Sequence, residues 1–241
     1  MHRTIFIIML ILCSSQSSRI WGQVITESGT HIFWQPDRKL TANDFQGEPK
    51  SKDIKHCKEK GACIVPCLGL YLEVDIPKNY RRNKFEMVYF APAFQKSCST
   101  IMSETKDVSE GQLFFDIMEV SSRIGRKLLK GYHDHISISI DSLNLEILIN
   151  NPDTLLTSRV GSTLALHARD AAKSFYNELS TSYYLDMYSS TESHGFDNWR
   201  KLVDDLLLKY EEYATKPEEC YRMVEDKPLE KKYKTMYKKR K

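Results

Sequence analysis

An α+β fold, with a sheet-rich first half and packed helices in the second, is predicted by two features of the chain. Between residues 24 and 100, β-formers alternate or cluster in short runs separated by polar, lysine-rich stretches. From residue 103 onward the apolar residues recur every three or four positions, the period of an amphipathic helix. Three runs qualify as strands, over residues 30–34, 69–76 and 85–91. The first long helix covers residues 103–130 and carries Leu113, Ile117, Val120, Ile124 and Leu128 on one face. Tyr132-His133-Asp134-His135 reads as a surface turn that ends it, and residues 136–140 as a short β-like run. Helices over residues 153–185 and 198–213 complete the order. There are no internal repeats, and low complexity is confined to the lysine-rich end.

The first 22 residues have the layout of a secretory signal: His2 and Arg3, an apolar run from Ile5 to Leu12, then the polar Cys13 to Ser18, with a cut expected after Gly22 or, alternatively, near Ser15. That run is about half of the ~20 residues a membrane span requires, and no later segment is long or apolar enough. Residues 23–215 are therefore expected to form one exported domain, secreted or periplasmic, with no transmembrane segment after cleavage. Residues 216–241 are expected to form a basic tail. Residues 225–241 hold eight Lys or Arg against Glu225, Asp226 and Glu230, whereas the whole chain is only +3. A basic tail on an acidic body suits an anionic surface, such as lipid headgroups or an acidic envelope component, through screened attraction. A frayed, solvated end is the plainer reading of the same residues. No nucleic-acid motif is present.

Beyond the leader the cysteines are Cys57, Cys63, Cys67, Cys98 and Cys220. In an oxidising compartment one or two disulfides are expected, with a staple inside the cluster Cys57, Cys63 and Cys67. The odd count leaves one thiol unpaired unless it bridges two chains. His56 adjoins the cluster, but the C-x5-C-x3-C spacing is not that of a zinc knuckle.

Three separated segments carry a resemblance. Residues 34–49 hold Trp34, Arg38, Leu40, Asp44, Phe45, Gly47 and Pro49 in a W-x-x-x-R-x-L-x-W-x-D-F-x-G-x-P order, with Ala42 at the second Trp. The decamer from Glu110 to Glu119 keeps Gln112, Phe115, Asp116, Ile117 and Glu119 of an H-E-Q-x-H-F-D-I-x-E pattern. A late segment keeps Tyr188, His194 and Gly195 of a Y-D-x-E-T-x-H-G pattern. Together they resemble the bacterial secreted family catalogued as domain of unknown function nine-hundred-and-twenty-two, whose members are expected to be zincin-type zinc peptidases. The resemblance implies a zincin-like fold and a metal-site helix beginning at Glu110.

The chemistry of that helix explains why the departures matter. In H-E-x-x-H, two imidazoles four residues apart bind zinc and the intervening Glu takes the proton of the metal-bound water. Here Glu110 replaces the first His, Gly111 the Glu and Phe114 the second His. Phe114 has no donor atom and Gly111 no base, so a zinc with three protein ligands is not expected. At about 100° per residue, Asp116 and Glu119 point well away from Glu110 and read as structural. His194 is left without its imidazole partners, and Ser189 and Thr191 stand where acids are usual.

Local signals give the helix an ordinary reading too. Ser109-x-x-Gln112 and Asp107-x-x-Glu110 both fit capping boxes, and Phe114 fits core packing beside Ile117 and Met118. His133 and His135 read as solvated, His167 as a helix residue. No nucleophile elbow surrounds Ser162, Ser174 or Ser180, and no glycine-rich phosphate loop occurs. The leading expectation is a metallopeptidase-like binding or scaffold domain without cofactor, its partner an unidentified protein or envelope component. One alternative is a divergent hydrolase using Glu110, His194 and a further ligand, with zinc as its metal. Another is an envelope-associated module that docks through its tail.

Overall fold

The computed structural model describes residues 25–75, 87–102, 104, 107–142 and 155–224. The expected leader and the basic residues 225–241 lie outside the described residues, as does the end of the strand expected at residue 76. Strand β1 (His31–Phe33) is followed by helix α1 (Ser51–Lys60), β2 (Ile64–Val65), β3 (Leu68–Asp75), β4 (Met87–Gln95) and β5 (Thr100–Ile101). Four helices come next: α2 (Ser109–Ser142), α3 (Leu155–Ser189), α4 (Phe196–Lys209) and α5 (Pro217–Val224). The strands form a three-stranded antiparallel sheet in the order β1-β4-β3, and β2 pairs with β5 in a second ladder. The α+β expectation is met in that mixture of helix and antiparallel sheet.

Two apolar layers build the core around α2. Ile32, Trp34, Leu40, Phe45 and Phe94 meet Phe115 on the sheet side. Leu113, Ile117 and Val120 meet Tyr183 of α3 and Val203 of α4 on the other. A helix buried on two sides must satisfy most of its polar residues internally, and α2 does so at Glu119, while Ser122 Oγ is buried without a partner. Glu119 is fully buried and accepts hydrogen bonds from Arg123 Nε at 2.8 Å and from the Thr215 N–H at 2.9 Å.

Four expectations are corrected. Residues 51–60 form a helix rather than a loop; it buries no residue, so it lacks the apolar period that would reveal it, and Gly61 in the left-handed region ends it. No break occurs at Tyr132-His133-Asp134-His135, and residues 136–140 are helical: α2 runs on to Ser142. No proline interrupts that stretch, and the β-preference of Ile136, Ile138 and Ile140 is a weak one that context overrides. The buried stripe ends on Leu129, 8% exposed, instead of Leu128, 37% exposed, because the two successive four-residue steps from Val120 to Ile124 and Leu128 drift around a 3.6-residue helix. Finally, helical structure packed on the sheet continues past the boundary expected at residue 215. Cys220 of α5 is buried with Phe33, Ala91 and Ala93 against the sheet.

Two disulfides are formed. Cys57 pairs with Cys63 inside the expected cluster, while Cys67 leaves it to pair with Cys98. Among the described residues, Cys220 is the free thiol. No helix among the described residues is long and apolar enough to cross a membrane.

Candidate functional site

The first turns of α2 carry the second of the three segments, and they are met by residues 34–49 of the first and by Tyr188 of the third. Trp34 donates its indole N–H to Asp116 Oδ1 at 2.7 Å, and Gln112 Nε2 donates to the same oxygen at 2.8 Å. Arg200 Nη1 reaches Asp116 Oδ2 at 2.7 Å. The Leu40 N–H donates to Gln112 Oε1 at 2.8 Å, so residues 34–49 strap the start of α2 to the sheet. Within that strap Arg38 pairs with Asp44 and with Glu27, both at 2.8 Å. Burial works to raise the Asp44 carboxyl, but hydrogen bonds from Arg38 and Thr41 outweigh it and hold it below its ordinary value. Gly47 is needed for contact: a Cβ there would lie 2.8 Å from the Cys98 carbonyl carbon. The matching residues Trp34, Gln112, Asp116 and Glu119 are thus parts of the scaffold.

The capping at α2 differs from both expected boxes. Asp107 Oδ1 accepts the Ser109 N–H at 2.9 Å and its hydroxyl at 2.6 Å. Gln112 is drawn away to Leu40 and Asp116, and Glu110 is drawn to α3.

Glu110 and Phe114, one turn apart on α2, form one wall of a cleft of about 340 Å³. Tyr176, Ser180, Tyr184 and Tyr188, spaced four apart on α3, form the facing wall, and Asp53 and His56 of α1 with Ile64, Val65 and Pro66 close the rim. Tyr188 donates a short hydrogen bond to Glu110 Oε1, and Tyr183 also hydrogen-bonds this carboxylate. Burial pushes the Glu110 carboxyl above its ordinary value and Asp107 adds to the rise, while the tyrosine hydrogen bonds oppose it. Burial pushes Tyr176 up to about 12 and raises Tyr183 and Tyr188 as well. Phe114 meets Tyr183 edge-on, with ring centroids 5.2 Å apart. It packs half-buried against the core that holds Leu113, Ile117 and Val120, in keeping with the packing role expected of it, and its remaining surface lines the cleft.

Gly111 is buried, and its position is filled from outside the helix. A Cβ there would lie 2.7 Å from Phe45 Cζ and 3.3 Å from Ile64 Cγ2. His194 does not join Glu110. Its side chain is 78% exposed and its Nδ1 lies 2.9 Å from Asp186 Oδ1, outside the cleft. The Trp199 indole, then His194, holds Asp186 below its ordinary carboxylate value. Ser189 and Thr191 are exposed, and His133 and His135 lie where only the backbone is described.

The residues at the start of α2 do not fit a zinc ion. Glu110 is the single donor among the three motif positions and is committed to tyrosine hydroxyls. Among the described residues, no three His, Cys, Asp or Glu side chains are grouped to hold a metal. What the cleft offers is two carboxylates, an imidazole and an aromatic wall. The ladder at Tyr176, Tyr184 and Tyr188 was open to sequence reading as a four-residue period; Asp53 and His56 were not, because their helix has no apolar face.

Comparison with known protein families, curated proteins and solved structures gave no match.

Proposed function

We propose that this chain is an exported, zincin-like domain of a metallopeptidase type that works without zinc or hydrolysis, as a binding domain using the cleft beside Glu110. The observation that carries the reading is at Gly111. The position of the general base has no side chain, and Phe45 and Ile64 occupy the space in which one would begin. Glu110, at the position of the first imidazole, serves as a hydrogen-bond acceptor for α3. The two disulfides support export, since such bonds persist in oxidising compartments.

The test compares the natural chain with a variant carrying Glu110→His, Gly111→Glu, Phe114→His and Phe45→Ala, the last making room for the new Glu. Zinc uptake by the variant alone supports a site that was lost; stoichiometric zinc and chelator-sensitive peptide cleavage in the natural chain overturn the reading. A second reading is favoured by the eight basic residues of 225–241. An envelope-docking module would lose salt-dependent binding to anionic vesicles when those residues are deleted, and unchanged binding would remove it.

A further inference from the structure

We propose that the cleft beside Glu110 recognises an organic ammonium group, with Glu110 as its counter-ion and the tyrosines of α3 as its aromatic wall. The proposal rests on the reading of this cleft as a binding site and adds the chemical class of its ligand. Charge is the first argument. The residues lining the cleft include Asp53 and Glu110 but neither lysine nor arginine, and His56 is the one basic group. Aromatic surface is the second. Tyr184 and Tyr188 present rings 5.1 Å apart and tilted by 46°, two adjoining panels rather than a flat stack. A cation against such rings is attracted by their quadrupoles, and more strongly where water is excluded.

The polar groups of the wall argue against a sugar. A neutral glycan needs donors and acceptors to replace its water, yet the Tyr188 hydroxyl is committed to Glu110 and the Tyr184 hydroxyl lies 3.2 Å from His56 Nδ1. A metal ion is equally unsuited, since among the described residues no three His, Cys, Asp or Glu side chains are grouped to hold one. An ammonium group needs one carboxylate and apolar surface around its methyl or methylene groups. The volume, about 340 Å³, suits a headgroup or one side chain rather than a long polymer.

Binding would also relieve a cost already present in the fold, because a partly buried carboxylate is held there without a cationic partner among the cleft residues. Affinity should therefore fall as pH drops through the titration of Glu110. The groups facing Glu110 are Tyr183 and Tyr188 of α3, Asp107 before α2, and Asp53 and His56 across the cleft on α1.

The experiment titrates the full exported chain with choline and, separately, with its uncharged isostere 3,3-dimethylbutan-1-ol, following amide shifts and heats of binding. The expected result is choline-induced shifts at the cleft, with affinity lower by about tenfold for the isostere and for Glu110→Gln and Tyr184→Ala. Glu110→Asp, which keeps the charge, should retain part of the binding, and melting curves report whether each variant is folded. Equal binding of choline and its isostere, an unaffected Glu110→Gln, or no response to choline at the cleft each overturns the proposal. Binding of cellobiose in place of choline would also overturn it and assign the cleft to neutral glycans. None of these results depends on zinc content, so the parent reading stands or falls separately.

Discussion

Phe45 packs so closely on Gly111 that a Cβ added to the glycine would lie 2.7 Å from the Phe45 Cζ. Phe45 is itself pinned, edge-on against Phe94 with centroids 5.0 Å apart. Gly111→Ala should therefore destabilise the fold by about 1–3 kcal/mol, the usual cost of overpacking a core, even though alanine favours helix. Phe45→Leu should recover part of that loss in the double variant, a coupling that denaturant titration would reveal as non-additivity. Additive effects, or a neutral Gly111→Ala, would show that the contact is loose.

Glu110 makes stability depend on pH. Its carboxyl is raised in the folded chain, so the native state holds the proton more tightly than the unfolded state. Stability attached to this group is then greatest at low pH and falls as pH rises from the ordinary carboxylate range through the raised folded value. Glu110→Gln removes that dependence while keeping an acceptor for Tyr188. The variant should be more stable than the natural chain at neutral pH and lose its advantage in acid. Denaturation series across that pH range would check the sign, and an advantage that grows in acid would contradict it.

The cysteines should behave as three different objects. Cys57–Cys63 staples the end of α1, a helix with no buried residue, so replacing both by serine should speed amide exchange over residues 51–60 and leave global stability nearly unchanged. Cys67–Cys98 closes a longer loop between the start of β3 and the turn before β5, and its loss should cost about 2–4 kcal/mol. Burial pushes the Cys220 thiol up to about 12, so it should resist alkylation until the chain is unfolded. Amide exchange tests the first, denaturant titration the second, and peptide mapping after alkylation with and without denaturant the third.

Asp116 joins Trp34, Gln112 and Arg200 while almost fully buried. Asp116→Ala would leave the Trp34 indole unpaired and the Arg200 guanidinium without this partner, at a cost of about 3–5 kcal/mol. A mild loss would mean that water takes over the role of the carboxylate.

Much of this architecture was legible in the sequence because it rests on apolar period. Leu113, Ile117 and Val120 mark the buried face of α2, and the β-formers around residues 69–76 and 85–91 mark β3 and β4. What stayed hidden has other causes. Helix α1 is held by Gly61 and a disulfide rather than by an apolar face, so Asp53 and His56 gave no sign of reaching the cleft. The separation of His194 from Glu110 depends on Asp186, whose hydrogen bonds to His194 and Trp199 are tertiary facts. The role of Gly111 was half visible: the absent base could be read, but the Phe45 ring in its place could not.

Metal analysis of the purified chain decides whether the start of α2 supports zinc chemistry. The expected result is no stoichiometric zinc after exposure to the ion and no chelator-sensitive peptide cleavage. One zinc bound per chain, removed by chelator together with peptidase activity, would contradict it.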